Sequence, residues 1–161
     1  MAFIRAKKGI RATVFDLPGV APITRSYLQK EGLLDKVKTI SGNYIADDFG
    51  DGFDLVFLSA IIHINSCAEN RALIRKCVKA LNPQGQVVVQ DFIMDEGRTK
   101  PAFGAIFALN MLVATEKGDT YTEAEVRAWM QEAGLSDIKR KDTDFGTTLI
   151  IGRNKKPKKV I

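Results

Sequence analysis

The chain has 161 residues, 45% of them hydrophobic and 27% charged, which predicts one domain burying roughly 70% of its unfolded surface and excludes a disordered or fibrous protein. No run approaches the ~18 uncharged apolar residues of a membrane helix, and Met1–Gly9 lacks the apolar centre of a signal peptide. The formal charge of +5 is concentrated at the ends, in Arg5–Arg11 and in the five basic residues of Arg153–Lys159, and no zinc-finger spacing, glycine-rich nucleic-acid loop or interleaved aromatic accompanies it.

In chain order, Phe3–Lys7 reads as the end of a helix closing near Gly9, and Ala12–Phe15 as a strand closed by Asp16-Leu17-Pro18-Gly19. A helix over Ala21–Glu31 turns Ile23, Tyr27 and Leu28 toward a sheet and ends at Gly32; Val37–Ile40 is the next strand. Asp47–Gly52 is a polar turn before the strand Phe53–Leu58. The stripe Leu73, Ile74, Cys77, Val78, Leu81 predicts a helix over Asn70–Leu81, stopped by Pro83 and Gly85. Gln86–Gln90 is apolar on both faces, as a central strand should be. Ala102–Ala114 is so apolar that burial, or a lid over a hydrophobic pocket, is expected. Thr122 and Glu125 form a capping box for a helix ending near Gly134, and Ile138–Lys141 with Thr147–Ile151 make a hairpin around Asp144-Phe145-Gly146.

This order is α/β, with an antiparallel hairpin at its end. In open α/β sheets ligands bind beyond the carboxyl ends of the strands, and Asp16, Asn43, Ser59, His63 and Asp91 all follow strands. Asp16 can accept hydrogen bonds from two vicinal ribose hydroxyls, or cap its own turn. Asn43 can pair with an adenine amino group while Tyr44 covers the ring, or both can be an ordinary turn after Gly42. Ser59 can offer a hydroxyl nearby. His63 is the only histidine, and no ligand spacing around it suggests a metal site. Neutral imidazole can take a proton from an acidic hydroxyl with Asp91 holding the other ring nitrogen, or it can simply pack between Ile62 and Ile64. Asp95 and Glu96 belong to a solvated turn, and Trp129 to helix packing. Cys67 and Cys77, ten apart along one helical segment, are poorly placed for a disulfide and point to a reducing, cytoplasmic setting.

The chain resembles the class I S-adenosylmethionine-dependent methyltransferases, specifically the plant and hydroxyindole type of small-molecule O-methyltransferase. The likeness runs over roughly Phe3–Arg153 and rests on Ala12–Val20 as the second-strand motif, Gly42-Asn43-Tyr44, and Asp54–His63 with the helix after it. It implies an incomplete Rossmann-like methyltransferase sheet with helices on both faces and a C-terminal antiparallel hairpin, a catalytic body over 1–153, and a basic tail over 154–161. It implies S-adenosylmethionine as cofactor, addressed by Asp16, Asn43, Tyr44 and Ser59, and a small, hydroxylated, aromatic acceptor deprotonated by His63 with Asp91.

Departures accompany the likeness. The family's His-Asp-Trp is His63-Ile64-Asn65, its acidic adenine contact is Asn43, and its histidine-orienting glutamate falls near Thr120, beside Asp119. The family's glycine-rich first strand and N-terminal helical domain do not precede Phe3, so weak cofactor binding and a homo-oligomer, or a partner supplying the N-terminal part, are expected. A non-catalytic remnant or interaction subunit is the rival reading. A nucleic-acid-associated methyltransferase-like protein is a third, suggested only by the basic ends; no specific nucleic-acid partner and no membrane are expected.

Overall fold

The computed structural model describes residues Ala2–Lys155, which fall into two compact units divided between Gly50 and Asp51. The first unit comprises helix α1 (Ala2–Ala6), strand β1 (Ala12–Asp16), helix α2 (Ala21–Lys30) and strand β2 (Val37–Ser41). β1 and β2 pair in parallel from Ala12↔Val37 to Asp16↔Ser41. Their crossover is α2, which starts with Pro22 in its first turn, where the missing amide costs nothing, and turns out through Gly32 at φ 64°. Leu28, Leu33 and Val37 are its buried core, with Ile4, Ala12 and Val14 packed against them. Ile23 and Tyr27, expected to face the sheet, are instead 56% and 58% exposed.

The second unit holds a four-stranded sheet in the order β3-β4-β8-β7, built from β3 (Phe53–Ser59), β4 (Leu81–Asp91), β7 (Leu135–Asp142) and β8 (Thr148–Asn154). β3 and β4 are parallel, β4 and β8 antiparallel, and β7 and β8 form the terminal hairpin. Helix α3 (Cys67–Ala80) carries the chain from β3 back to β4 and buries Leu73, Ile74, Cys77 and Val78. Val87, Val88 and Val89 are all buried, as a strand covered on both faces requires. Helix α5 (Glu123–Glu132) adds Val126, Trp129 and Met130 to this core, with Trp129 edge-on to Tyr121 at 4.9 Å.

Helix α4 (Ala102–Ala114) occupies its expected span, between a two-residue strand β5 (Ile93–Met94) and its parallel partner β6 (Tyr121–Thr122). It is neither buried nor wholly a lid. Gly104 and Met111 are buried on one side, and Gly104 lies so close to Met94 that an added Cβ would stand 2.5 Å from its sulfur. Phe103, Ile106, Leu109, Leu112 and Val113 are exposed on the other.

Two further differences have local causes. α3 starts at Cys67 rather than Asn70 because Ser66 and Glu69 form a capping box, Glu69 accepting from the Ser66 amide at 2.8 Å. α3 ends before Pro83 and Gly85, as expected, yet both residues lie within β4, where the register against β3 shifts between Phe53 and Leu55 and Gln84 takes φ 67°. The Asn82 side-chain amide fixes this irregular stretch by donating to Gly52 O and Asp54 Oδ1, each at 2.9 Å. Asn154, expected in the tail, is a buried residue of β8, and Lys155 pairs with Asp137; the rest of the expected tail, 156–161, lies outside the described residues. Among the described residues no helix is long and apolar enough to cross a membrane.

Candidate active site

The site of the second unit is assembled at the carboxyl ends of β3 and β4. Their register, Ser59↔Gln90, brings the two strand ends side by side, and the Ala60 amide extends the pairing to Gln90 O at 3.0 Å. The chain then turns sharply, with Ala60 at φ 55°, into a single 3₁₀ turn, Ile62–Ile64. His63 is the middle residue of that turn. Asp91 is the last residue of β4, so a strand end and a turn supply the two members of one pair.

His63 Nδ1 lies 2.9 and 3.0 Å from the two oxygens of Asp91. The side chains are 12% and 2% exposed, so this is a nearly dry contact. A carboxylate only accepts, so Nδ1 carries a proton, and in the neutral form of the ring Nε2 is the nitrogen with the lone pair. The Phe92 amide donates to Asp91 Oδ1 at 2.9 Å and fixes the carboxylate in turn. One aromatic ring meets the imidazole, Phe107 at 4.9 Å and 88°, and Phe92 stands 4.9 Å from Phe107 and 5.0 Å from Phe103. Phe103 and Phe107 are one helical turn apart on α4 and nearly parallel, at 15°. Phe107 lies in the Ala102–Ala114 run whose apolar character suggested a lid over a hydrophobic pocket; Phe92 carries no such signal in the sequence.

Asp119 meets His63 through its backbone and turns its carboxylate to Arg98. Its carboxylate pairs with Arg98 at 3.1 Å and accepts from the Thr120 amide, while its own backbone amide donates to His63 O at 3.0 Å. Gly118 makes that approach possible, since a Cβ there would stand 2.3 Å from His63 O. Arg98 also donates to Thr120 O and makes a two-pronged contact with Glu125. The imidazole is thus oriented from β4, and its backbone from the 117–120 loop. Ser59 is exposed and its hydroxyl donates to Gln90 Oε1 at 3.2 Å, a bond within the sheet.

The first unit holds the other candidates. Asp16 ends β1 and Asn43 follows β2, and the Gly42 amide donates to Asp16 O at 2.9 Å, so the two lie at one end of a parallel pair. Asp16 Oδ1 accepts from the Leu17 amide, closing the turn, and the carboxylate keeps further lone pairs. Asn43 Oδ1 accepts from the Ile45 amide at 2.9 Å, and its backbone amide donates to Asp47 Oδ2 at 2.8 Å. Asn43 is exposed and Tyr44 half-buried. The Asp16 and Asn43 side chains thus cap their own turns. A Cβ at Gly42 would lie 2.5 Å from the Phe15 ring, so only glycine lets this turn close over that ring, which also packs edge-on to Phe49. A carboxylate acceptor at a parallel strand end fits a vicinal diol.

Residues 2–136 match the model of the O-methyltransferase domain family. The tetracenomycin polyketide synthesis 8-O-methyl transferase of Streptomyces glaucescens is 32% identical over 149 residues, 92% of this chain and 44% of that protein. The acetylserotonin O-methyltransferase of Bos taurus is 30% identical over 90% of this chain and 40% of its own length. Among solved structures, PigF with SAH superposes with a TM-score of 0.87 at 26% identity, covering 95% of this chain and 46% of that one; PigF of Serratia is an S-adenosyl-L-methionine-dependent methyl transferase. The chain thus spans less than half the length of the relatives it matches. With this much of it matched, the chain belongs to the O-methyltransferase domain family.

Proposed function

We propose that this chain is the catalytic portion of an S-adenosylmethionine-dependent O-methyltransferase acting on a hydroxyl of a small aromatic molecule. One observation carries the reading: a nearly dry histidine whose Nδ1 is held by both oxygens of Asp91, leaving Nε2 as a base beside the rings of Phe92, Phe103 and Phe107. Asp16 would hold the ribose hydroxyls of the cofactor, with Asn43 and Tyr44 at the adenine; Ser59 is a further candidate for a cofactor hydroxyl contact. S-adenosylmethionine supplies an electrophilic methyl group whose leaving group is a neutral thioether. His63 Nε2 takes the acceptor's hydroxyl proton, and Asp91 stabilises the imidazolium so formed without itself being protonated. The aromatic rings orient a flat acceptor and exclude water from the proton being moved. The catalytic body extends to the end of β8, and the free thiols of Cys67 and Cys77 support a cytoplasmic setting.

The exposed side of α4 favours a second reading alongside the first, in which the same domain is also an interaction subunit that associates with a second copy. The test of the main reading uses labelled methyl transfer to a phenolic acceptor panel and calorimetry with S-adenosylmethionine. His63→Ala is expected to lower transfer by roughly 100-fold or more while circular dichroism is unchanged. Asp16→Ala is expected to weaken cofactor binding about tenfold or more, the value of one lost charge-assisted contact. Unchanged transfer by folded His63→Ala removes the histidine from the mechanism, and a parent chain that binds no S-adenosylmethionine favours an interaction subunit or an enzyme completed by another chain.

A further inference from the structure

We propose that Asn70 is a positioning residue for His63, acting from the first turn of α3 through the backbone of the 3₁₀ turn. This inference rests on the reading of His63 as the base. Asn70 is wholly buried, and it shares its helix face with Leu73, Ile74 and Cys77. An amide in such surroundings costs free energy unless its polar atoms are partnered, and an apolar residue of similar volume would serve packing alone at least as well. Both of its side-chain bonds go to the segment that carries the histidine. Its Nδ2 donates to Ile62 O at 2.9 Å, and its Oδ1 accepts from Asn65 Nδ2 at 3.1 Å. Ile62 and Asn65 bracket His63 on either side.

The turn has little else of its own to hold it. A single 3₁₀ turn carries few internal hydrogen bonds, and the two here are long, the Ile64 amide to Ile61 O at 3.2 Å and the Asn65 amide to Ile62 O at 3.3 Å. No side chain caps its start. Its geometry is imposed from outside instead: the Asp119 amide on His63 O, the Tyr121 hydroxyl on Asn65 O, and Asn70 on both flanks. The α3 capping box fixes where Asn70 stands, because Ser66 and Glu69 define the helix start only four residues before it. Asn70 therefore transmits the position of a rigid helix to the turn, and the turn sets the direction of the imidazole. Deprotonation is sensitive to that direction, since Nε2 must meet the acceptor hydroxyl within hydrogen-bond reach while Nδ1 stays on Asp91.

His63 is the only histidine, so its ring nitrogens can be followed in the whole chain by ¹⁵N–¹H imidazole spectra without assignment. The parent chain is expected to show one tautomer, protonated at Nδ1. Asn70→Asp keeps volume and the acceptor for Asn65 but loses the donor to Ile62 O; Asn70→Ala loses both. Both variants are expected to shift the ring signals toward exchange between tautomers, Ala more than Asp. Leu73→Ala, which opens a cavity on the same helix face without touching the turn, should leave the signals in place. In methyl transfer the Asn70 variants should lower kcat about tenfold, as expected for a displaced base, with KM for S-adenosylmethionine within twofold. Unchanged His63 signals in a folded Asn70 variant overturn the proposal, as does the same disturbance in Leu73→Ala. Unfolding of both Asn70 variants overturns it too, because Asn70 would then serve the core alone. The spectra do not depend on turnover, so an inactive parent chain would favour an interaction subunit or an enzyme completed by another chain and leave this outcome separately legible.

Discussion

At the scale of single residues, the site depends as much on what is small as on what is reactive. At Gly118 an added Cβ would meet His63 O at 2.3 Å and Thr115 Oγ1 at 2.4 Å. Neither atom is the free end of a flexible chain, since Thr115 Oγ1 is itself tied to Met111 O at 2.7 Å and receives the Gly118 amide at 2.8 Å. Gly118→Ala should therefore push the loop away from the turn, break the Asp119–His63 backbone bond, and cost about 1–3 kcal/mol as overpacked sites do. Gly97→Ala is the control, because its nearest atoms are 3.8 Å away. Urea midpoints of the two variants check the difference; equal midpoints would mean that the loop relaxes freely. The pairing of His63 with Asp91 could be anticipated, because both follow strands and their chemistry is complementary. Phe92, Phe107 and Asn70 could not be read as readily. Their side chains are ordinary core types or sit at a helix boundary, and only the tertiary packing aims them at one histidine.

Elements were most legible where local chemistry dictates them. The Thr122 and Glu125 capping box starts α5 as its pattern requires, and the Thr143–Thr147 turn closes the hairpin with Gly146 at φ 75°. The same pattern, Ser66-Cys67-Ala68-Glu69, was present before α3 but yielded to the stronger apolar stripe further on. β4 shows the opposite limit. Pro83 and Gly85 normally stop an element, and only the long-range bonds of Asn82 to the β3 segment absorb them into a bulged strand. Two-residue strands such as β5 and β6 have no periodicity to read. The start of α3 also carries a pH dependence. Lys117 bonds to Glu69 first, and the Ser66 amide and hydroxyl add to it, pulling the Glu69 carboxyl from 4.5 down to about 2. A carboxyl with a lowered folded pKa stabilises the fold above its unfolded value, and that contribution is lost as pH falls from about 4.5 toward about 2. Glu69→Gln keeps an acceptor for the capping box but removes the titration. Its urea midpoint should lie below that of the parent at pH 7 and approach it at pH 2.5; a constant gap between the two would show that Glu69 does not carry the acid dependence.

For the molecule as a whole, the separation into two units and the exposure of α4 are what composition could not convey. An apolar helix in a sequence invites burial, yet on α4 two sides are apolar and only one faces the core. Phe103 is 62% exposed, Ile106 65%, Leu109 64%, Leu112 74% and Val113 88%, with no charged residue anywhere in the helix. Single exposed apolar residues are ordinary, but a contiguous face of this kind marks interaction sites once it reaches a few hundred Å². Ile106, Leu109 and Val113 follow a 3–4 spacing, the seam by which one helix packs along another. A second copy of α4 offers an identical uncharged seam, and an isologous pair needs no complementary charges to set its register. Concentration-dependent association is therefore expected in light scattering. Ile106→Glu with Val113→Glu should abolish it, because each dimer would bury four carboxylates without partners. Since both side chains are largely exposed in the single chain, the double variant should change its unfolding midpoint little, within about 0.5 kcal/mol per site. A parent chain that stays monomeric across the series would exclude self-pairing of α4. Association that survives both glutamates would move the contact elsewhere on the molecule, and the edge strand β3, with Leu55 46% exposed, is then the next surface to substitute.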